Sequence, residues 1–134
     1  MTHGSAPPFR FVTTPARERL AALLRLPNDP SMQDWEWVVA DPERIEEFLS
    51  VYEEALLDDD ERFALMEILI QSFEDSARDL AADPAWKRLL ALLERNLDVH
   101  RYSVWYWYSV GVEAAAGGYE AWRVSPFLRP LLER

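Results

Sequence analysis

The chain has 134 residues, a length typical of one domain, with no cysteine and a net charge of −10. The lack of cysteine excludes disulfides, thiolate nucleophiles and cysteine-based metal sites; it is typical of a reducing compartment, so we expect a cytoplasmic location. The sequence has neither the pattern of a secretory signal nor an apolar run long enough to cross a bilayer, so no membrane association is expected.

Negative charge is concentrated in residues 41–83, which we call the acidic block. It contains fifteen acidic residues and three arginines, a net charge of −12, whereas residues 1–40 sum to zero and residues 84–134 sum to +2. Proteins that bind a nucleic-acid backbone need a basic stripe to displace its counterions. Because this chain has no such stripe, direct nucleic-acid binding is not expected.

Residues 1–14 show no helical periodicity and contain Pro7 and Pro8, which predicts a flexible N-terminal arm, although Phe9, Phe11 and Val12 could dock onto the body of the protein. Residues 15–134 are predicted to form one helical domain, because no linker divides them. Five times a capping residue precedes a proline, the residue favoured at the first position of a helix. These predicted helix starts are Thr14-Pro15, Asp29-Pro30, Asp41-Pro42, Asp83-Pro84 and Ser125-Pro126.

A sixth helix start lies at Asp58, which has the spacing of a capping box with Glu61. It opens the most apolar segment, residues 58–80, whose hydrophobic residues cover about half of a helix circumference. An arc this broad predicts a central helix that several neighbours cover. The remaining arc is polar and holds Glu67, Gln71, Glu74 and Arg78.

The preceding segment, residues 42–56, combines an apolar stripe with glutamates on the other side of the predicted helix. The stripe consists of Ile45, Phe48, Leu49, Tyr52 and Leu56. No glycine occurs between Ser5 and Val110, whereas the turns of a β-rich chain would need glycine. The sequence therefore predicts an all-α fold, a compact bundle of about six helices.

Residues 99–110, the aromatic stretch, are compatible with two interpretations. Their aromatic and β-branched residues favour a strand, which could pair with residues 119–124 in a short hairpin. Twelve residues are long for a strand, however, and in a helix Trp105 and Tyr108 would share a face while Gly117 could end the helix. The helix is favoured, and a short hairpin within residues 99–124 is the alternative.

Candidate catalytic groups are few. His3 lies in the arm, and His100 lies in the aromatic stretch near Asp98 and Glu94. No nucleophile elbow, phosphate-binding glycine loop or metal-ligand spacing is present, so we expect no metal, no cofactor and no enzymatic activity. The alternative is a small-molecule site or a weak enzyme, lined by aromatic rings, in which His100, Tyr102 and Asp98 contact the ligand.

Two sets of residues are candidates for binding a partner protein. Carboxylates of the acidic block would attract a basic partner; they are Glu43, Glu46, Glu47, Glu53, Glu54, Asp58, Asp59 and Asp60. Large rings of the aromatic stretch would anchor the contact, as tyrosine and tryptophan do at many interfaces; they are Trp105, Tyr106, Trp107 and Tyr108. The same rings could instead be buried in a homodimer.

A short, acidic, cysteine-free helical domain with an acidic helix and an aromatic patch resembles bacterial immunity proteins. Those proteins neutralise a basic toxin domain by covering it. The resemblance is one of composition and type, and it implies a non-catalytic interaction module whose partner is a basic protein such as a toxin domain.

Overall fold

A computed structural model describes residues 6–134, so the first five residues of the predicted arm, His3 among them, lie outside the described residues. Within this part of the chain there are seven α-helices and no strand. The all-α prediction is confirmed, with seven helices rather than about six. The contacts divide the chain into two compact units, residues 11–77 and residues 6–10 with 78–134. One domain over residues 15–134 stays a prediction.

The first unit is built around its last helix. Its helices are α1 (Thr14–Leu24), α2 (Trp35–Val38), α3 (Ile45–Glu54), which follows a 3-10 turn (Pro42–Arg44), and α4 (Asp59–Glu74). Helices α1, α2 and α3 all pack against α4. Eleven of the 16 residues of α4 are buried, which confirms its predicted central position.

The start of α4 is as predicted, but its end is not. The carboxylate of Asp58 accepts a hydrogen bond from the backbone N–H of Glu61 at 2.8 Å, and the Glu61 carboxylate accepts one from the backbone N–H of Asp58 at 2.9 Å. This reciprocal capping box satisfies two donors that a helix start leaves open. The helix ends at Glu74, six residues before the predicted end at Leu80.

Glu67 lies on the arc of α4 that the sequence marks as polar, yet it is only 4% exposed. Helix α2 packs against α4 and brings a donor to the carboxylate. The indole Nε1 of Trp37 donates a hydrogen bond to Glu67 Oε1 at 3.1 Å. Burial of this carboxylate therefore depends on a partner from another helix.

The predicted helix start at Asp29-Pro30 is also wrong. The Asp29 carboxylate accepts hydrogen bonds from the backbone N–H and the hydroxyl of Ser31, at 2.9 and 2.8 Å, and so closes a local turn instead of capping a helix. Helix α2 begins only at Trp35, after Asp34 has adopted a left-handed conformation with φ 52°.

The second unit contains the aromatic stretch. Its helices are α5 (Pro84–Arg95), α6 (Leu97–Ala116) and α7 (Ser125–Leu132). Helix α6 packs against both α5 and α7. The aromatic stretch is helical throughout and residues 119–124 form no strand, so the hairpin alternative is not observed in the described chain. Gly117 follows the last helical residue, at the position where the helical interpretation placed a possible end.

A close approach joins α6 to α7. Gly111 of α6 lies opposite Ser125, whose hydroxyl donates a hydrogen bond to the carbonyl oxygen of Trp107 at 2.5 Å. The predicted role of Ser125 as a helix cap is wrong, because its hydroxyl bonds to α6 and makes no capping bond in α7. The sequence correctly indicated a helix that begins near Pro126, but it did not indicate that the Ser125 hydroxyl bonds to α6.

Candidate functional site

The candidate partner-binding carboxylates lie on α3, on the turn before it and at the start of α4. Helix α3 buries Ile45, Phe48, Leu49 and Tyr52, which leaves the glutamates of the same helix directed to solvent. All eight predicted carboxylates are exposed. We call them the acidic surface: Glu43, Glu46, Glu47, Glu53, Glu54, Asp58, Asp59 and Asp60. All belong to the first unit.

Two carboxylates of the acidic surface pair with arginines three residues away. Arg44 contacts Glu47 at 2.8 Å, and Arg62 contacts Asp59 at 3.3 Å. The hydrogen bonds from Arg44 hold the pKa of Glu47 below its ordinary value, so this group stays ionised to lower pH than a free glutamate. The net charge of −12 in the acidic block already includes both arginines, so the block remains strongly anionic.

Leu56 lies in the connection between α3 and α4, next to the acidic surface. It was predicted on the buried stripe of α3, and this prediction is wrong, since Leu56 is 90% exposed. Helix α3 ends at Glu54, and Ala55 turns the chain into an extended conformation with φ −79° and ψ 150°. As a result Leu57, and not Leu56, is buried. The signal available in sequence was the cap at Asp58, which requires α3 to end before it.

The four rings predicted as anchors occupy different environments on α6. Trp107 is 2% exposed and belongs to the core of the second unit, so it cannot act as an exposed anchor. Trp105, Tyr106 and Tyr108 are half-buried and keep part of their surface accessible. Helical geometry explains the difference, because four consecutive residues point in directions about 100° apart.

The alternative ligand site around His100 is not assembled as predicted. His100 is fully buried, whereas the side chain of Asp98 is 98% exposed and lies 3.6 Å from Arg101. Glu94 forms an ion pair with Arg134. Tyr102 is half-buried and contacts the rings of Phe9 and Trp105. The structure therefore does not bring the Asp98 carboxylate to the histidine as an acid–base pair.

Glu36 on α2 is a half-buried carboxylate that sequence reasoning did not single out. Desolvation raises its pKa above the ordinary value of 4.5. The folded state thus binds this proton more tightly than the unfolded state, and ionisation of Glu36 opposes folding as pH rises through the folded-state pKa. The sequence offered one signal of this environment: Glu36 directly follows the apolar Trp35 and lies two residues after Asp34.

We expect Glu36→Gln to raise the melting temperature near neutral pH, because glutamine lacks the desolvated charge. The advantage should shrink well below pH 4.5, where both states of the wild type are protonated. Circular dichroism monitors thermal unfolding near neutral pH and well below pH 4.5, and Glu18→Gln, at an exposed position of α1, is the control. A stabilisation of equal size at both pH values would contradict desolvation as the cause.

Within residues 6–134, no group of three or more histidine, aspartate or glutamate side chains is arranged to hold a metal ion. None of the helices in the same range has the length and apolar character needed to cross a membrane. Comparison of the chain with protein-family models, with curated proteins and with solved structures finds no match.

Proposed function

We propose that this protein is a non-catalytic binding module of the immunity or inhibitor type, which engages a basic partner protein through the acidic surface. The observation that carries the proposal is the exposure of all eight predicted carboxylates, on α3, on the turn before it and at the start of α4. They lie within 43 residues that hold a net charge of −12. A solvated surface does not need so uneven a distribution of charge to stay in solution.

The physical basis is electrostatic steering. A field from many like charges on one surface raises the encounter rate with a partner of opposite charge by roughly 10- to 1,000-fold, and salt screens the effect. The surface carboxylates are also acceptors for bidentate arginine contacts. A partner rich in arginine and lysine, such as a basic toxin domain, fits this chemistry.

Apolar contact would supply the affinity that surface charges alone do not. Leu56 offers a side chain that is 90% exposed beside the acidic surface. On the second unit, the half-buried rings of Trp105, Tyr106 and Tyr108 offer accessible aromatic area. The cysteine-free composition is in keeping with action in the cytoplasm, where we propose that the partner is met.

The decisive variant reverses four glutamates of α3 at once, Glu46, Glu47, Glu53 and Glu54 to lysine. Asp58 is left unchanged, because it caps α4. The wild type, immobilised, is expected to capture a strongly basic protein from a lysate of the native host and to release it as salt rises. Against that purified partner, the variant should associate roughly 10- to 1,000-fold more slowly at low salt.

A matched control changes the net charge by the same amount away from the acidic surface. Four exposed acids outside α3 and its flanking turns serve this purpose when changed to lysine: Glu18, Asp75, Glu113 and Glu120. The control should lose far less of the association rate. Circular dichroism verifies that both variants fold. Unchanged association and unchanged salt dependence for the α3 variant would refute the proposal.

A further inference from the structure

The second unit carries a connected series of ring contacts on α6. The ring of Tyr102 lies 5.6 Å from that of Trp105 and 6.1 Å from that of Tyr106. The ring of Tyr106 in turn lies 5.9 Å from that of Trp122, which precedes α7. All four residues are half-buried, so part of each remains accessible. We call these four side chains the aromatic surface.

One residue of the N-terminal arm, Phe9, contacts the aromatic surface. Residues 6–9 of the arm read Ala-Pro-Pro-Phe and belong to no helix. The ring of Phe9 meets that of Tyr102 edge to face, with centroids 5.2 Å apart and planes at 82°. The two prolines restrict the backbone and remove two N–H donors, which favours an extended, polyproline-like segment.

The contact of this segment is limited in extent. Phe9 remains 71% exposed while it touches Tyr102, and Pro8 is exposed as well. A ring that is anchored in a core would be almost completely buried. The Phe9 ring therefore contacts Tyr102 without being buried in the core of the second unit.

We propose that the aromatic surface is a docking site for an extended segment of a partner protein in which prolines precede an aromatic residue. Residues 6–9 occupy the site as a displaceable internal ligand. Tyrosine- and tryptophan-lined surfaces bind proline-rich segments well, since a pre-ordered polyproline conformation loses little entropy on binding. The chain's own Pro-Pro-Phe sequence indicates the chemistry that fits. The site belongs to the second unit and shares Trp105 and Tyr106 with the proposed function, but the inference does not depend on the acidic surface.

Competition between the internal ligand and the partner segment gives the proposal a measurable signature. The apparent affinity for an added peptide is reduced by the fraction of molecules whose site is free. If residues 6–9 occupy the site about nine-tenths of the time, removing the Phe9 ring increases the apparent affinity for the added peptide about tenfold. A surface that has no internal ligand would show no such increase.

In the test, full-length protein is titrated with a synthetic peptide of residues 4–12. Binding is measured from the indole N–H signals of the tryptophans in NMR spectra. Phe9→Ala protein should bind this peptide about tenfold more tightly than the wild type. Phe11→Ala protein is the matched control: Phe11 is 61% exposed, and its removal leaves Phe9 in place, so it should bind like the wild type. A peptide with alanine in place of Phe9 should not bind.

A second variant tests the location of the site. Tyr102→Leu keeps apolar volume but removes the ring that Phe9 contacts, so it should abolish binding when combined with Phe9→Ala, while circular dichroism verifies the fold. Equal peptide affinity of wild-type and Phe9→Ala protein, or binding that survives Tyr102→Leu, would overturn the proposal. So would dimerisation that Phe9→Ala abolishes in the absence of peptide binding, which would identify a second copy as the occupant.

Discussion

Gly111→Ala is expected to lower the free energy of unfolding by about 1–3 kcal/mol, as overpacking of a close contact does. A methyl group at this position would lie 2.0 Å from Ser125 Oγ, 3.0 Å from Ser125 Cβ and 3.2 Å from Trp122 Cε3. Ser125 cannot simply move away, because its hydroxyl is bonded to the carbonyl oxygen of Trp107. Either this hydrogen bond breaks or α6 and α7 separate.

The sign of this effect distinguishes packing from helix propensity. Alanine is favoured over glycine within a helix by about 1 kcal/mol, so propensity alone predicts stabilisation. Urea unfolding measures the difference. Gly117→Ala is the matched control, because the nearest atom to a methyl group there is 3.5 Å away, and it should change stability by less than about 0.5 kcal/mol. In a Ser125→Ala protein, Gly111→Ala should lower the free energy of unfolding by less than it does in the wild type. If Gly111→Ala stabilised the wild-type protein, the steric explanation would be excluded.

Glu67→Ala is expected to destabilise the protein by roughly 2–4 kcal/mol, the sum of a cavity and a lost buried hydrogen bond. Glu67 is 4% exposed and accepts from the Trp37 indole. Glutamine keeps both the volume and an acceptor oxygen, so Glu67→Gln should cost less than Glu67→Ala. Chemical denaturation of both variants tests this order.

A double-mutant cycle assigns the effect to the contact between α2 and α4. If Trp37 and Glu67 stabilise each other, Glu67→Ala should cost less in Trp37→Phe protein than in the wild type. Gln71→Ala, one turn further along α4 and less buried, serves as control and should change stability by under about 0.5 kcal/mol. Strictly additive effects of the two substitutions would contradict the coupling.

Several features follow from local sequence. The capping box at Asp58 and the cap at Asp83 were predictable because the groups that they satisfy lie two or three residues away. The exposed carboxylates of α3 follow from its helical periodicity, since burial of Ile45 and Phe48 directs the intervening glutamates outward. The exposure of Glu46, Glu47, Glu53 and Glu54 was therefore predictable from the sequence.

Other features were not predictable from neighbouring residues. Glu67 is buried because α2 brings an indole donor from thirty residues away. The aromatic stretch has mixed local preferences, and its helix is stabilised by packing of α6 against α5 and α7. Phe9 and Tyr102, which are in contact, lie 93 residues apart in the sequence, and no local periodicity predicts their contact.

Amino-acid order by itself thus determined the helical class, the sites of several helix starts and the sign and position of the surface charge, because capping and periodicity act within a few residues. Only the tertiary structure decided which carboxylate is buried, which aromatic rings stay accessible and where glycine is required. These depend on which distant side chain arrives at a given helix, and that is set by the packing of whole elements, not by local preference.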